Sequence, residues 1–239
     1  MTTSYATHMP AGDAAVQSPA ERARVRRTGL WVFMGVVTML FFLFSVAYVM
    51  RMAASDWRVL PAPPWQLWAS TALLAGSSLA WASAARGGSA GASALRADGT
   101  ISLAAARAAS RATARGGAEV QAASAASNQA GGAMLAVAVL LSLAFIGMQL
   151  WAWEAMRAMN YPLAANPANS FFYMITGLHG LHVLGGLVAA AFVWRARDKL
   201  AVSLCARYWH FLLALWLAMF GLLFLMTPER VDIICNSFQ

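Results

Sequence analysis

Three histidines lie in apolar stretches of this 239-residue chain, where they could bind haem or a metal ion. His179 and His182 share one apolar stretch, and His210 lies in the next. Imidazole nitrogens are common axial ligands of haem and common ligands of transition metals. Because two histidines at i and i+3 on one helix cannot occupy opposite axial positions of one haem, a ligand from a second helix would be needed. The position of His210 relative to the other two therefore decides whether a shared centre is feasible.

The stretch that carries the first two histidines, Ser170–Trp194, contains no charged residue. At ~1.5 Å per residue it is longer than the ~30 Å hydrocarbon core of a bilayer, so it predicts a membrane-spanning helix. At ~100° per residue, the two histidines and Gly186 fall on one side, and Gly177 and Gly180 fall on roughly the opposite side. Small residues allow close helix approach, and polar rings in lipid need a partner. Both sides thus suit protein contact, which places this helix inside a bundle.

The depth of the histidines argues against a shared centre. His182 lies about 13 residues, or ~20 Å, from the charged end of its stretch, and His210 lies about 3 residues, or ~5 Å, into the next. No carboxylate occurs at mid-membrane depth to complete a metal site or a proton relay. We therefore predict no catalytic, cofactor-binding or metal-binding residue in this chain. The histidines are expected to be neutral, hydrogen-bonded residues of helix contacts.

The composition is that of a membrane protein. Apolar residues make up 60% of the chain and charged residues 11%, with 10 Trp and 13 Met. The net charge of +8 is carried by residues in the connections between apolar stretches, which argues against nucleic acid as a partner. Cys205 and Cys235 lie on opposite sides of the last apolar stretch and are not expected to form a disulfide.

Five apolar stretches predict an all-α membrane protein, a bundle of five transmembrane helices within residues 29–227. The spans cover about residues 29–50, 66–85, 129–153, 170–194 and 208–227. The first stretch is too long for a signal-peptide core and lacks a small-residue cleavage pattern, so we interpret it as a retained span. The flanking regions are a disordered, basic N-terminal segment, a long cytoplasmic loop and a short outer tail, assigned to residues 1–28, 86–128 and 228–239. The hydroxyls of the second span are expected to bond to backbone or neighbouring helices.

The long loop contains Arg107, Arg111 and Arg115, which at this spacing would stripe one face of a helix with positive charge. A surface helix on anionic lipid or on a partner, and a solvated helical connector, are both compatible with this pattern.

The distribution of Lys and Arg predicts the orientation of the spans. Of the 17 such residues, 13 fall in the N-terminal segment and the second and fourth connections, and 4 fall in the other connections and the tail. Because cytoplasmic connections carry the excess of positive charge, the N-terminus is predicted to be cytoplasmic and the C-terminus outside.

Two runs within these spans resemble one protein family. The first, FF-x-x-x-TG-x-HG-x-HV-x-x-G, has its fixed positions at Phe171, Phe172, Thr176, Gly177, His179, Gly180, His182, Val183 and Gly186. The second, YWHF-x-x-x-x-W, has them at Tyr208, Trp209, His210, Phe211 and Trp216. Together, in this order, they resemble subunit III of the haem-copper oxidases, the cytochrome c and quinol oxidases. Shorter runs resemble the family's G-[ML]-W-x-F and F-x-G-x-Q motifs at Gly29, Leu30, Trp31, Phe33, Phe145, Gly147 and Gln149.

The resemblance implies the short, five-helix form of subunit III, a non-catalytic subunit of an oxidoreductase complex in the bacterial plasma membrane. Such a subunit binds beside catalytic subunit I and subunit II, holds phospholipid in clefts between helices and supports sustained proton uptake during aerobic electron transport. Haem and copper are then expected in the partner subunits. The residues carried over as helix-contact or lipid positions are Trp31, Phe33, Gln149, Thr176, Gly177, His179, Gly180, His182, Gly186, Tyr208, Trp209, His210 and Trp216.

The chain departs from the family pattern by losing three acidic residues. Val37, Ala152 and Leu213 stand where the family usually carries carboxylates. Association and lipid retention are expected to survive these losses, which argue against a role as a local proton collector. The motifs also occur in relatives of subunit III that are associated with nitric oxide reductase, so that complex and a quinol oxidase are alternatives to a cytochrome c oxidase.

Overall fold

The computed structural model of the chain describes residues 18–94, 105–196, 198–226 and 233, without the side chains of residues 87–94, 105–128 and 196. Regular structure in this part of the chain is entirely helical. The five helices are α1 (Pro19–Arg51), α2 (Trp65–Ala94), α3 (Ala105–Ala158), α4 (Pro167–Ala196) and α5 (Lys199–Leu225). Most of the outer tail, Cys235 included, and the side chains of the arginine stripe lie outside the described residues.

Helix α1 begins ten residues before the predicted first span. Ser18 caps it, since Glu21 N donates to Ser18 Oγ at 3.2 Å and Ser18 N donates to Glu21 Oε2 at 2.7 Å. Pro19 occupies the first turn, where its missing N–H costs nothing. Residues 19–28, which the sequence assigns to the disordered and basic segment before the first span, therefore belong to the helix, because this capping box starts it.

Helix α5 also begins earlier than predicted. Asp198 caps it by accepting from Leu200 N at 3.0 Å, and the same carboxylate pairs with Arg26 of α1 at 2.7 Å. The basic connection before the last span is therefore short, and α5 starts at Lys199 instead of residue 208. Charged residues at the start of a helix that extends beyond the bilayer resemble a loop in a hydropathy pattern, which explains the difference.

The region between the second and third spans is largely helical as well. Helix α2 continues to Ala94, and α3 runs without interruption from Ala105 to Ala158. Alanine, which dominates this region, has the highest intrinsic helix propensity.

Within the described residues, four helices are long and apolar enough to cross a membrane: α1, Gln129–Ala158 of α3, Pro167–Arg195 of α4, and α5. The described part of the chain is thus all-helical, and these helices indicate an integral membrane protein. The crossing of α2 stays a prediction, because its serines lower its apolarity. The orientation of the termini also stays a prediction.

Helix α5 lies at the centre of the bundle, where it packs against α1, α2 and α4, and α3 packs against α2 and α4. Two of the largest fully buried side chains, Trp209 and Trp216, belong to α5, and Trp81 of α2 lies 4.7 Å from Trp209 between ring centroids. Aromatic side chains thus fill the space where the helices meet.

Candidate helix-contact site of the bundle

His179 lies at the junction of four helices. Its side chain is fully buried, and its ring lies 6.5 Å from Phe41 of α1, 5.8 Å from Phe145 of α3 and 5.2 Å from Trp216 of α5, between centroids. Neither ring nitrogen has a hydrogen-bond partner within the described part of the chain. The expectation of a hydrogen-bonded histidine is therefore wrong here, because the three helices that face His179 present aromatic rings instead of acceptors.

His182 lies one turn further along α4 and faces α1. Its Nδ1 is 2.8 Å from the carbonyl oxygen of Leu178, and its ring contacts Phe33 and Phe41 at centroid distances of 6.4 and 5.7 Å. The backbone carbonyl of His182 accepts a hydrogen bond from the Tyr208 hydroxyl at 3.0 Å. The ring of His182 thus has a hydrogen-bond partner within its own helix and packs against the rings of α1.

His210 faces a different helix. Its Nδ1 is hydrogen-bonded to the hydroxyl of Ser78 on α2. The Tyr208 hydroxyl bonds to the backbone carbonyl of His182, so the start of the YWHF run lies close in depth to His182. The predicted difference in depth between His182 and His210 is therefore wrong. The early start of α5 is the reason. What separates the two histidines is the helix that each faces, α2 for His210 and α1 for His182.

Within the described residues, no group of three or more His, Cys, Asp or Glu side chains is arranged to hold a metal ion.

The closest approach between α4 and α5 occurs at Gly186. A Cβ atom there would lie 2.9 Å from Tyr208 Cε1 and 3.0 Å from Trp209 Cη2, both shorter than normal contacts. At Gly177 a Cβ would lie 3.4 Å from Trp153 Cη2, a tight contact with α3, while at Gly180 it would meet no described atom within 4 Å. Glycine is therefore required by packing at position 186, and position 180 has open space within this chain.

Thr176 and Trp153 join α4 to α3. The indole Nε1 of Trp153 donates to Thr176 Oγ1 at 3.1 Å, and that hydroxyl donates to the carbonyl of Phe172 at 2.7 Å. Helix α4 is thus anchored to α3 through a threonine of the FF-x-x-x-TG run.

The hydroxyls of α2 form the second set of polar contacts. Ser77 Oγ donates to the carbonyl of Ala138 at 2.9 Å and lies 2.7 Å from Ser142 Oγ, which also accepts from Trp209 Nε1 at 2.9 Å. Gln149 Nε2 donates to Ser70 Oγ at 2.9 Å. The prediction that these hydroxyls bond to neighbouring helices is confirmed. Ser142 was missed, because a single serine in an apolar stretch has no distinguishing pattern.

A similar link connects α5 with α2, through Trp216 Nε1, which donates to Thr71 Oγ1 at 2.9 Å.

Among the remaining motif residues, Phe33 lies 6.0 Å from Tyr208 between ring centroids, whereas Trp31 is 63% exposed and faces away from the bundle. Trp31 is therefore placed to contact lipid or another protein.

Comparison with known proteins identifies the part of the chain that holds most of these contacts. Residues 120–227 match the family model of cytochrome c oxidase subunit III. Residues 120–227 are therefore similar to this family. They are referred to below as the subunit III segment, and they contain the end of α3 and all of α4 and α5.

Curated relatives agree with this assignment. The chain is 30% identical over 100 residues to cytochrome c oxidase subunit 3 of Thermostichus vulcanus, an alignment that covers 38% of this chain and 48% of the relative. It is 32% identical over 102 residues to cytochrome bo(3) ubiquinol oxidase subunit 3 of Pseudomonas aeruginosa, covering 39% and 49%. A probable cytochrome c oxidase subunit 3 of Mycobacterium tuberculosis is 28% identical over 96 residues, covering 37% and 47%. The chain spans about half the length of the curated relatives it matches.

The positions where the resemblance expects carboxylates are filled by packed apolar side chains. Ala152 of the subunit III segment is fully buried, and Leu213 is half-buried against the core. Val37 of α1, which precedes the segment, is also buried. A carboxylate introduced at Ala152 or Val37 would have to be accommodated inside the bundle.

A groove of about 590 Å³ opens between α1, α4 and α5. Its walls are almost entirely apolar, and Arg26 lies at one end. The residues that line it are Arg26, Leu30, Phe33, Leu181, His182, Gly185, Gly186, Ala189, Val193, Ala201, Leu204, Cys205 and Tyr208.

Proposed function

We propose that this chain is a non-catalytic integral membrane subunit of a respiratory haem-copper terminal oxidase of the cytochrome c oxidase type. The observation that carries the proposal is the subunit III segment, in which the family's motif residues make the helix contacts of the bundle. Its partners are subunit I, which holds the redox centres, and subunit II, and its location is the bacterial plasma membrane.

The chain itself supplies contacts and no redox chemistry in this proposal. Its three histidines in the bundle face three different surroundings: aromatic rings for His179, the α1 face for His182 and the α2 hydroxyl for His210. Haem and copper are therefore assigned to the partner subunits, and phospholipid to the groove beside Arg26.

Orientation and span number are parts of the same proposal. The excess of Lys and Arg in the N-terminal segment and in the second and fourth connections supports a cytoplasmic N-terminus, and α2 is then the fifth span. The C-terminus lies outside in this arrangement.

The proposal is tested by purifying the complex in a mild detergent through an affinity tag on this chain. A haem-copper catalytic subunit is expected in the eluate, identified by mass spectrometry and by its haem spectrum. Recovery of a nitric oxide reductase catalytic subunit instead would favour the alternative complex. Failure to recover either would contradict the proposal.

Deletion of the chain provides the functional arm. Initial oxygen reduction should stay largely intact in the haem-replete core, while stability, lipid retention or endurance during turnover should fall. Immediate and complete loss of activity in a fully assembled core would show that the chain takes part in the chemistry, which is against the proposal.

A quinol oxidase is a second candidate, because the 32% identical relative from Pseudomonas aeruginosa carries that name. The purified complex decides between the two by the donor that it oxidises, reduced cytochrome c or a quinol.

A further inference from the structure

Helix α2 differs from the other four helices in the polarity of its buried face. Gln66, Ser70, Ser77 and Ser78 are all buried, with at most 6% of their surface exposed. Within the described residues, α2 is less apolar than the four helices that qualify as spans by composition. Its buried polar side chains therefore need partners on the neighbouring helices if α2 crosses the membrane as the fifth span.

The buried hydroxyls of α2 have partners on α3 and α5. Ser70 accepts from Gln149 of α3, Thr71 accepts from Trp216 of α5, and Ser77 joins Ser142 of α3, which Trp209 of α5 also reaches. These contacts cover the length of α2 from its first turns to its middle. Both partner helices follow α2 in the chain, so the contacts can form only after α3 and α5 have been synthesised.

The donors on the partner helices need α2 in return. Ser70 and Thr71 also donate to the carbonyl of Leu67 in their own helix, at 2.9 and 2.8 Å, so their hydroxyls are partly satisfied without neighbours. The side-chain N–H of Gln149 and of Trp216 have no such local alternative among the bonds of the structure and point at α2. In hydrocarbon, such donors left unpaired are unfavourable.

We propose that α2 is a conditional span, which is held across the membrane by side-chain donors of α3 and α5 and not by its own apolarity. Its insertion is completed when Gln149 of α3 and Trp216 of α5 donate to Ser70 and Thr71. Ser142 of α3, which accepts from Trp209, adds the contact with Ser77. The proposal concerns the chain's own assembly and is independent of the complex to which it belongs.

The test follows the side of the membrane on which the connection after α2 lies. In the full-length chain, Ser89→Cys provides the probe, with Cys205→Ala and Cys235→Ala removing the native thiols. An impermeant thiol reagent is applied to intact cells and to inverted membrane vesicles after a short pulse of radiolabelled synthesis, so that unstable variants are counted before degradation. The parent chain should label from one side only.

The diagnostic variant removes the two donors that reach α2: Gln149→Leu and Trp216→Phe together. The fraction of chains with the probe on the opposite side should rise by about tenfold, since each lost interhelical bond in a membrane changes the equilibrium by about threefold. The matched control is Ser83→Ala, which removes an α2 hydroxyl that bonds only to Ala80 O in its own helix, and it should leave the sidedness unchanged.

A rescue distinguishes hydrogen bonding from loss of aromatic volume. Adding Ser70→Ala, Thr71→Val and Ser77→Ala to the donor-less variant makes α2 more apolar, and single-sided labelling should return. Unchanged sidedness in the donor-less variant, two-sided labelling of the parent, or no recovery in the rescue would each overturn the proposal.

Discussion

At the residue scale, the contacts of the motif residues are dictated by shape at Gly186 and by hydrogen bonding at Trp209 and Thr176. Gly186 lets two aromatic rings of α5 approach the α4 backbone, while His179 is held in place by rings alone. The motif histidines are therefore not equivalent, although their spacing suggests a common role.

Gly186→Ala should destabilise the chain by about 1–3 kcal/mol, because the new Cβ overlaps the rings of Tyr208 and Trp209. Gly180→Ala is the matched control on the same helix and should be nearly neutral, since its Cβ meets no described atom within 4 Å. Equilibrium unfolding of the purified chain in mixed micelles measures both. Equal stability of the two variants would show that the close approach at Gly186 does not exist.

His179→Phe should leave the stability unchanged or raise it, because it replaces a buried ring that has two unpartnered nitrogens by an apolar ring. Ser142→Ala should instead cost about 1–2 kcal/mol, since it leaves the buried N–H of Trp209 without its acceptor. A strong loss of stability in His179→Phe, measured by the same unfolding assay, would indicate a partner for His179 that the helices themselves do not supply.

The purified chain, stripped of other subunits, should show no Soret band, because its three bundle histidines face different helices. Absorption spectroscopy and metal analysis of the isolated chain check this. A haem band that disappears in His179→Ala or His182→Ala would refute the assignment of all cofactors to the partners.

At the scale of helices, one carboxylate connects the N-terminal part of α1 with the start of α5. Asp198 caps α5 and pairs with Arg26, which is 57% exposed and also lines the end of the apolar groove. The cap is local and the ion pair is between helices, so the two contributions can be separated by mutation.

Asp198→Ala should cost about 1 kcal/mol, mainly through loss of the cap. Arg26→Ala removes only the exposed ion pair and should cost no more than about 0.5 kcal/mol, because solvent screens such pairs. Thermal unfolding at low and high salt measures both, and Asp198→Asn, which retains capping, is the control. A larger effect for Arg26→Ala than for Asp198→Ala would contradict this division.

At the scale of the whole molecule, the bundle is built around α5, and the groove between α1, α4 and α5 opens on its surface. The native Cys205 reports poorly on orientation, because it is buried and will resist labelling from either side. Topology therefore needs probes at exposed positions.

In a chain without native cysteines, an impermeant thiol reagent on intact cells should label Ala164→Cys and spare Ala20→Cys. Ala164 lies in the exposed connection between α3 and α4, and Ala20 lies in the exposed first turn of α1. The excess of Lys and Arg on the Ala20 side is the physical reason. Labelling of Ala20→Cys alone would invert the orientation.

The sequence by itself determined the helical class, four of the five predicted apolar spans and the similarity of residues 120–227 to subunit III. Length and apolarity decide whether a helix can cross hydrocarbon, and both are visible in one dimension. The hydroxyls of α2 were also assigned to interhelical bonds correctly, since polar side chains in a bundle must find partners.

Only the tertiary structure decided which helix each histidine faces and where the close approach lies. The spacing of His179 and His182 is the same whether the facing helices offer acceptors or rings, and the rings of Phe41, Phe145 and Trp216 come from three distant parts of the chain. Gly180 and Gly186 fall on opposite sides of α4, and both sides suit contact in the sequence pattern; only the packed neighbours show that the rings of α5 approach at Gly186 and that no described atom does so at Gly180. The start of α5 was hidden because its cap is a single hydrogen bond from Leu200 N to the Asp198 carboxylate, to which hydropathy is insensitive.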